Sequence, residues 1–184
     1  MKHGLKGEVM INVDQKNNVF KALADPSRRL LLDLLYEAAQ IWIRTSPERL
    51  WRALTDPEMT RKFLYQSRVV SDWKLGNDVT FVDDEGCITA VGKLVALDPP
   101  KRLSYTWKLL SVPETAVDEP SRITYEIIES ADMPDVCSLT VTHDQFEHAP
   151  HTFHFVGNGW PAVLSNLKTL LETGTPLIEY AIEN

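Results

Sequence analysis

The sequence predicts an α+β domain: a curved antiparallel β-sheet wrapped around one long C-terminal helix, preceded by a helical arm. Three observations carry this. Residues 65–147 are almost wholly strand and turn, with apolar residues alternating at period two. Residues 157–176, GNGWPAVLSNLKTLLETGTP, carry apolar side chains at helical spacing. Between the first strand and the strand run stand two helix starts, each marked by a capping residue followed by Pro and Glu.

The arm reads as two short helices. Val19, Phe20 and Leu23 form one apolar face. Asp25 and Pro26 then supply an N-cap and a first-turn proline for a second helix bearing Leu30, Leu31, Leu34 and Leu35. Near residue 40 the period changes to two, with Ala39, Ile41 and Ile43 alternating against Gln40, Trp42 and Arg44. Ser46-Pro47-Glu48 and Asp56-Pro57-Glu58 open the two short helices, with Leu50, Trp51 and Leu54 inward on the first and Met59 and Phe63 on the second. Strands are expected at 66–71, 78–83, 87–97, 102–110, 121–130 and 136–146, separated by Gly, Pro, Asn and Asp turns short enough for antiparallel hairpins. Leu103, Tyr105, Trp107 and Leu109 share a face, as do Ile123, Tyr125 and Ile127, then Leu139, Val141 and His143; the opposite faces are polar and expected to be wet. The last helix covers the inward faces with Trp160, Val163, Leu164, Leu167, Leu170 and Leu171, and stops at Gly174. A curved sheet around such a helix leaves space between them, where a ligand would go.

Composition removes several classes. No apolar run approaches the ~20 residues of a bilayer span, and the N-terminus has no signal-peptide core, so no membrane role is expected and the cytoplasm is the default location. Cys87 and Cys137 are too few and too far apart for a disulfide framework. The net charge is −7 and uneven: residues 1–40 hold six Lys and Arg against five Asp and Glu, so the acidity lies in the remainder. That balance argues against a nucleic-acid partner.

From residue 40 onward the chain resembles the START-like superfamily, also called SRPBCC or helix-grip, in the branch of the activator of heat-shock protein 90 ATPase (AHSA-like) proteins. The segments that carry the resemblance are SPERLWRALTDPEMTRKF (46–63), SDWKLGNDVTF (71–81), LDPPKRLSYTW (97–107), SRITYEI (121–127), SLTVTHDQF (138–146) and GWPAVLSNLKTLLETG (159–174). The arm, through VFKALADPSRRLLLDLL (19–35), resembles the opening of an ArsR-type winged-helix domain, a pairing found in bacterial proteins. Its recognition helix and wing do not follow, so DNA binding is not carried over. The resemblance implies a division into residues 1–38, a truncated winged-helix arm, and residues 39–184, a START-like domain. The arm's apolar residues are then expected to cover the START-like body or, as the resemblance also implies, to pair two copies as a homodimer.

The expected function is binding of a small hydrophobic or amphipathic molecule between sheet and helix, without a cofactor. Its expected wall is Trp51, Phe63, Phe81, Tyr105, Trp107, Tyr125, His143, Phe146, Trp160, Leu164 and Leu167. Aromatics at these positions serve equally as core filling. Two alternatives stand beside it: a protein–protein module of co-chaperone or stress-regulatory type, and a START-like cyclase or hydrolase with His143 as its one catalytic candidate. His143, His148, His151 and His154 match no zinc spacing, with His148 and His151 expected in a loop, and no metal is expected. Asp83, Asp84 and Glu85 read as a solvated turn, and Glu114, Asp118 and Glu119 as part of a loop flanking the cavity mouth.

Overall fold

The structure, a computed structural model, describes residues 39–156 and 159–179. The expected arm, its division from the rest at residue 38 and its pairing with a second copy lie outside the described residues.

Local chemistry sets the first elements. Strand β1 (Ala39–Arg44) leads into α1 (Pro47–Thr55), where Ser46 Oγ accepts from Arg49 N at 3.2 Å. Asp56 ends α1 and starts α2 (Pro57–Phe63): its backbone N–H donates to Arg52 O, while Oδ1 accepts from Glu58 N at 2.9 Å and Met59 N at 3.2 Å. One residue thus satisfies the open ends of two helices.

Six more strands follow: β2 (Arg68–Val70), β3 (Asp78–Val82), β4 (Ile88–Asp98), β5 (Arg102–Leu109), β6 (Ser121–Glu129) and β7 (Val136–Asp144). They form one antiparallel sheet in the order β1-β7-β6-β5-β4-β3-β2. The strand expected at 66–71 is Arg68–Val70, and it starts late because Gln66, after Tyr65, takes a positive φ of 59°. Helix α3 (Pro150–Val156) occupies a stretch expected as loop, so His151 is helical. Helix α4 (Trp160–Thr173) then packs along part of the sheet's inner side and ends where the N–H of Gly174, at φ 87°, donates to Leu170 O.

Sheet and helices share one core. Leu103, Tyr105, Ile123, Tyr125, Ile127, Leu139 and Val141 are buried from the strands, and Val163, Leu164, Leu167, Leu170 and Leu171 from α4. The outer face is not uniformly wet: Ser104 and Thr124 are buried there with their hydroxyls 2.8 Å apart. Buried Asn166, which apolar periodicity does not reveal, ties α4 to its surroundings. Its amide donates to Lys62 O and Phe63 O at 3.4 Å, and its Oδ1 accepts from Ile178 N at 3.0 Å. The β3–β4 turn is docked rather than simply solvated: Asp84 bridges Arg61 of α2 and Arg68 of β2, which hold its carboxyl down at about 2.

The edge strand β1 is closed by α4. Lys168 Nζ donates to Trp42 O at 2.5 Å, Glu172 Oε1 accepts from Arg44 N at 2.9 Å, and the two side chains pair with each other at 2.7 Å.

Gly92 of β4 lies against the backbone of Thr106 in β5. A Cβ there would lie 1.6 Å from Thr106 O, a backbone atom that cannot swing aside. Gly92→Ala should therefore cost about 1–3 kcal/mol through forced backbone displacement. Urea unfolding measures it, and a loss under ~0.5 kcal/mol, the usual range for a surface change, would contradict the close approach.

Candidate functional site

The inward residues of β3 to β7 do not all meet a helix. Beside the start of α4 they enclose a cavity of about 500 Å³, within the range of small-molecule sites. Its floor is Phe81, Tyr105, Trp107, Ile123, Tyr125 and His143, and Trp160 and Val163 close it from α4. The α2–β2 turn contributes Leu64, Tyr65 and Ser67, and α3 contributes Phe155 and Val156. Tyr65 and Phe155 are each about half exposed, at 52% and 55%, so the cavity meets solvent between that turn and α3.

Of the residues expected in the wall, Phe81, Tyr105, Trp107, Tyr125, His143 and Trp160 line this cavity. The other five do not. Phe63, Leu164 and Leu167 are buried in the main core, and half-buried Trp51 packs against it from α1. Phe146 lies beyond the end of β7, after Gln145 turns the chain at φ 65°, and packs its ring 4.6 Å from that of His143 and 5.3 Å from Phe153. Lining residues that the expectation omitted divide by cause. Leu109 and Ile123 already stand on the inward faces read from periodicity, whereas Phe155 and Val156 sit on the unforeseen α3.

A hydrogen-bond chain crosses the cavity wall. Trp160 Nε1–H donates to His143 Nδ1 at 3.2 Å, and His143 Nε2 lies 2.8 Å from Ser121 Oγ, which donates to Trp107 O at 3.0 Å. An indole nitrogen only donates, so Nδ1 is the acceptor and Nε2 carries the proton. That leaves Ser121 free to pass its own hydrogen to the carbonyl, and every group in the chain is satisfied. His143 is 1% exposed, and burial lowers its pKa to about 3, so the ring is neutral. A general base needs an open lone pair, and the one on Nδ1 is taken by Trp160.

The second polar pair is Tyr105 and Tyr125. Tyr105 O–H donates to the Tyr125 oxygen at 3.2 Å, across rings 6.0 Å apart. Burial raises both phenols, Tyr125 to about 12, so both keep their protons.

Around the mouth, Asp118 departs from the expected exposed loop. It is 3% exposed, and its carboxylate accepts from Thr152 N at 2.6 Å and lies 2.8 Å from His151 Nδ1. These bonds fasten the β5–β6 loop to the start of α3. Among the described residues no group of three or more His, Cys, Asp or Glu is placed to hold a metal ion. Nor is any helix among them long and apolar enough to cross a membrane.

The arrangement is a helix-grip fold with a mostly apolar chamber between its sheet and its last helix. The family model described as "Activator of Hsp90 ATPase homolog 1-like protein" matches residues 44–172, and the chain belongs to that family. No curated protein matches. Solved structures do. The Aha1 dimer from Colwellia psychrerythraea is 20% identical, with a TM-score of 0.56 over 74% of this chain and 95% of that one. PFC0360w, an HSP90 activator from Plasmodium falciparum, is 21% identical, with a TM-score of 0.55 over 73% and 95%. CalU16 from Micromonospora echinospora is 19% identical, with a TM-score of 0.55 over 73% and 74%. At these identities the likeness establishes the shared fold.

Burial of His143 has a measurable consequence. Its folded pKa of about 3 lies below the ~6.5 of an unfolded histidine, so the unfolded chain binds the extra proton between those values. Its contribution to stability is intact above pH ~6.5 and falls by up to ~1.4 kcal/mol per pH unit below it. Urea unfolding from pH 7 to 4.5 should show His143→Gln losing that component of the slope. Parallel profiles for both proteins would contradict a buried neutral ring.

Proposed function

We propose that the protein binds a small hydrophobic or amphipathic molecule in the chamber between sheet and α4. The observation that carries this reading is a space of about 500 Å³ with an aromatic wall and an opening to solvent, between the sheet and the start of α4. A folded domain gains by filling such a space with its own side chains, because voids forfeit dispersion contacts. An aromatic-lined chamber left open is suited to an apolar guest. The cyclase or hydrolase alternative has less support, since His143 spends both ring nitrogens within the protein.

The five tryptophans make the test selective. Trp107 and Trp160 line the chamber, while Trp42, Trp51 and Trp73 do not. A bound apolar probe should shift the indole N–H resonances of the first two in nitrogen–proton NMR and leave the other three in place. Ala90→Phe, at a buried lining position, should suppress those shifts by occupying the space. Binding that persists in that variant, or shifts confined to Trp42, Trp51 and Trp73, would reject the reading.

A second reading has its own observation. Trp42 and Ile128, 47% and 62% exposed, flank Ser138 across β1, β7 and β6 on the outer face. Such a pair suits contact with a protein, either an Hsp90-type chaperone, as the family name suggests, or a second copy. On this reading the chain stimulates chaperone ATP hydrolysis and Trp42→Ala weakens the effect, or light scattering returns twice the chain mass. An inert ATPase assay together with a single-chain mass would remove it.

A further inference from the structure

The cavity wall differs from a general greasy pocket in two respects. It contains no Lys, Arg, Asp or Glu. The polar groups in its depth are already paired inside the protein, except two: the indole N–H of Trp107 and the O–H of Tyr125, neither of which meets an acceptor among the described residues. Trp160 N–H is given to His143, His143 N–H to Ser121, and Ser121 O–H to Trp107 O. Thr89 Oγ1 donates to Phe81 O at 3.3 Å, and Ser67 Oγ lies 3.4 Å from Thr89 Oγ1.

The more deeply buried of the two is Tyr125. Its oxygen takes the hydrogen of Tyr105, and among the described residues nothing accepts its own. Tyr125 is 5% exposed and lines the chamber, so what meets its hydrogen is whatever occupies that space. A buried donor without an acceptor is costly, and natural folds keep few of them. The direction of donation from Tyr105 also strengthens what remains: a hydroxyl that accepts one hydrogen bond is a better donor of the next. Around it, the rings of Phe81 and Tyr105 lie 5.8 Å apart, and those of Tyr125 and Trp160 lie 6.2 Å apart, all tilted or edge-on. Such rings offer both edges and faces to a flat guest.

We propose that the molecule held in this chamber is uncharged and carries a hydrogen-bond acceptor, a ketone, ester or quinone oxygen, that takes the O–H of Tyr125. This rests on the chamber being a binding site and names what the site selects. An ionised carboxylate or phosphate is refused, because it would leave water for a wall with no cation to pair it. A plain hydrocarbon enters but leaves Tyr125 unmet. Tyr125 acts as a donor throughout the physiological range, since its proton is held to about pH 12.

Three probes on one skeleton separate the possibilities: 2-acetylanthracene, 2-ethylanthracene and anthracene-2-carboxylate, each titrated at pH 7 into the full chain and its variants by fluorescence. The ketone should bind about five-fold more tightly than the ethyl compound, the value of one neutral hydrogen bond, and the carboxylate at least ten-fold more weakly than the ketone. The ketone preference should vanish in Tyr125→Phe and persist in Tyr105→Phe, which keeps the Tyr125 hydroxyl. In wild-type protein the bound carbonyl stretch should move to lower frequency in infrared difference spectra, a readout that decides the matter even if Tyr125→Phe fails to fold. Equal binding of ketone and hydrocarbon, or an unshifted carbonyl, overturns the acceptor assignment while leaving the chamber a binding site. Carboxylate binding at the ketone's affinity overturns the uncharged class. If none of the three binds and Trp107 and Trp160 do not respond, the chamber reading and this proposal fall together.

Discussion

Among the described residues one long helix, α4, helped by the short α1 and α2, has to cover a seven-stranded sheet, and much of the site's character follows from that mismatch. Strands about 4.8 Å apart make a sheet roughly 29 Å across, while a helix with its side chains is only ~10–12 Å wide. Curvature narrows the gap, and α4 takes the part nearest β1 and α2, where Leu164, Leu167, Leu170 and Leu171 disappear into the core. The rest of the concave face is left to shorter elements. The α2–β2 turn and α3 roof it without filling it, and the uncovered aromatics become the wall of a chamber. A second long helix would make the core continuous and abolish the site.

The polar chemistry of the chamber follows from the same geometry. A histidine on an inward strand position must be satisfied without water. The fold does this with Trp160 at the first residue of α4 and Ser121 at the first residue of β6. The chain through Trp160, His143, Ser121 and Trp107 therefore stitches the start of the last helix to three strands. It stabilises neutral imidazole at the cost of removing that ring from proton transfer. The same residues thus line the chamber with paired, neutral groups, and on the proposal above any selectivity falls to the tyrosine pair.

Much of this was legible in the sequence, for a definite physical reason. Period-two alternation in β5, β6 and β7 placed Tyr105, Tyr125 and His143 inward, and capping chemistry located α1 and α2. What alternation cannot give is what stands opposite an inward side chain. Leu167 and Tyr105 both point in, yet Leu167 meets only core while Tyr105 also borders open space, and the difference lies in where α4 begins. Helix α3 was missed because its seven residues, PHTFHFV, are too few for a clear period and rich in histidine. Asn166 was missed because a polar residue on an apolar stripe announces nothing until Phe63 O and Ile178 N are found beside it. The Asp118 carboxylate was hidden likewise, since its partners lie more than thirty positions away.

The pairing of Lys168 and Glu172 against β1 has a bearing beyond local stability. Sheet edges are templates: an open row of N–H and C=O groups recruits any extended peptide, including another copy of the same strand. Here a helical ion pair occupies the Trp42 carbonyl and the Arg44 amide, so two side chains stand in for a missing eighth strand. The opposite margin, β2, is three residues long. Sheet extension from one molecule to the next is thereby blocked at one border and starved at the other. Aggregation through intermolecular strands is held off without the fold having to close into a barrel.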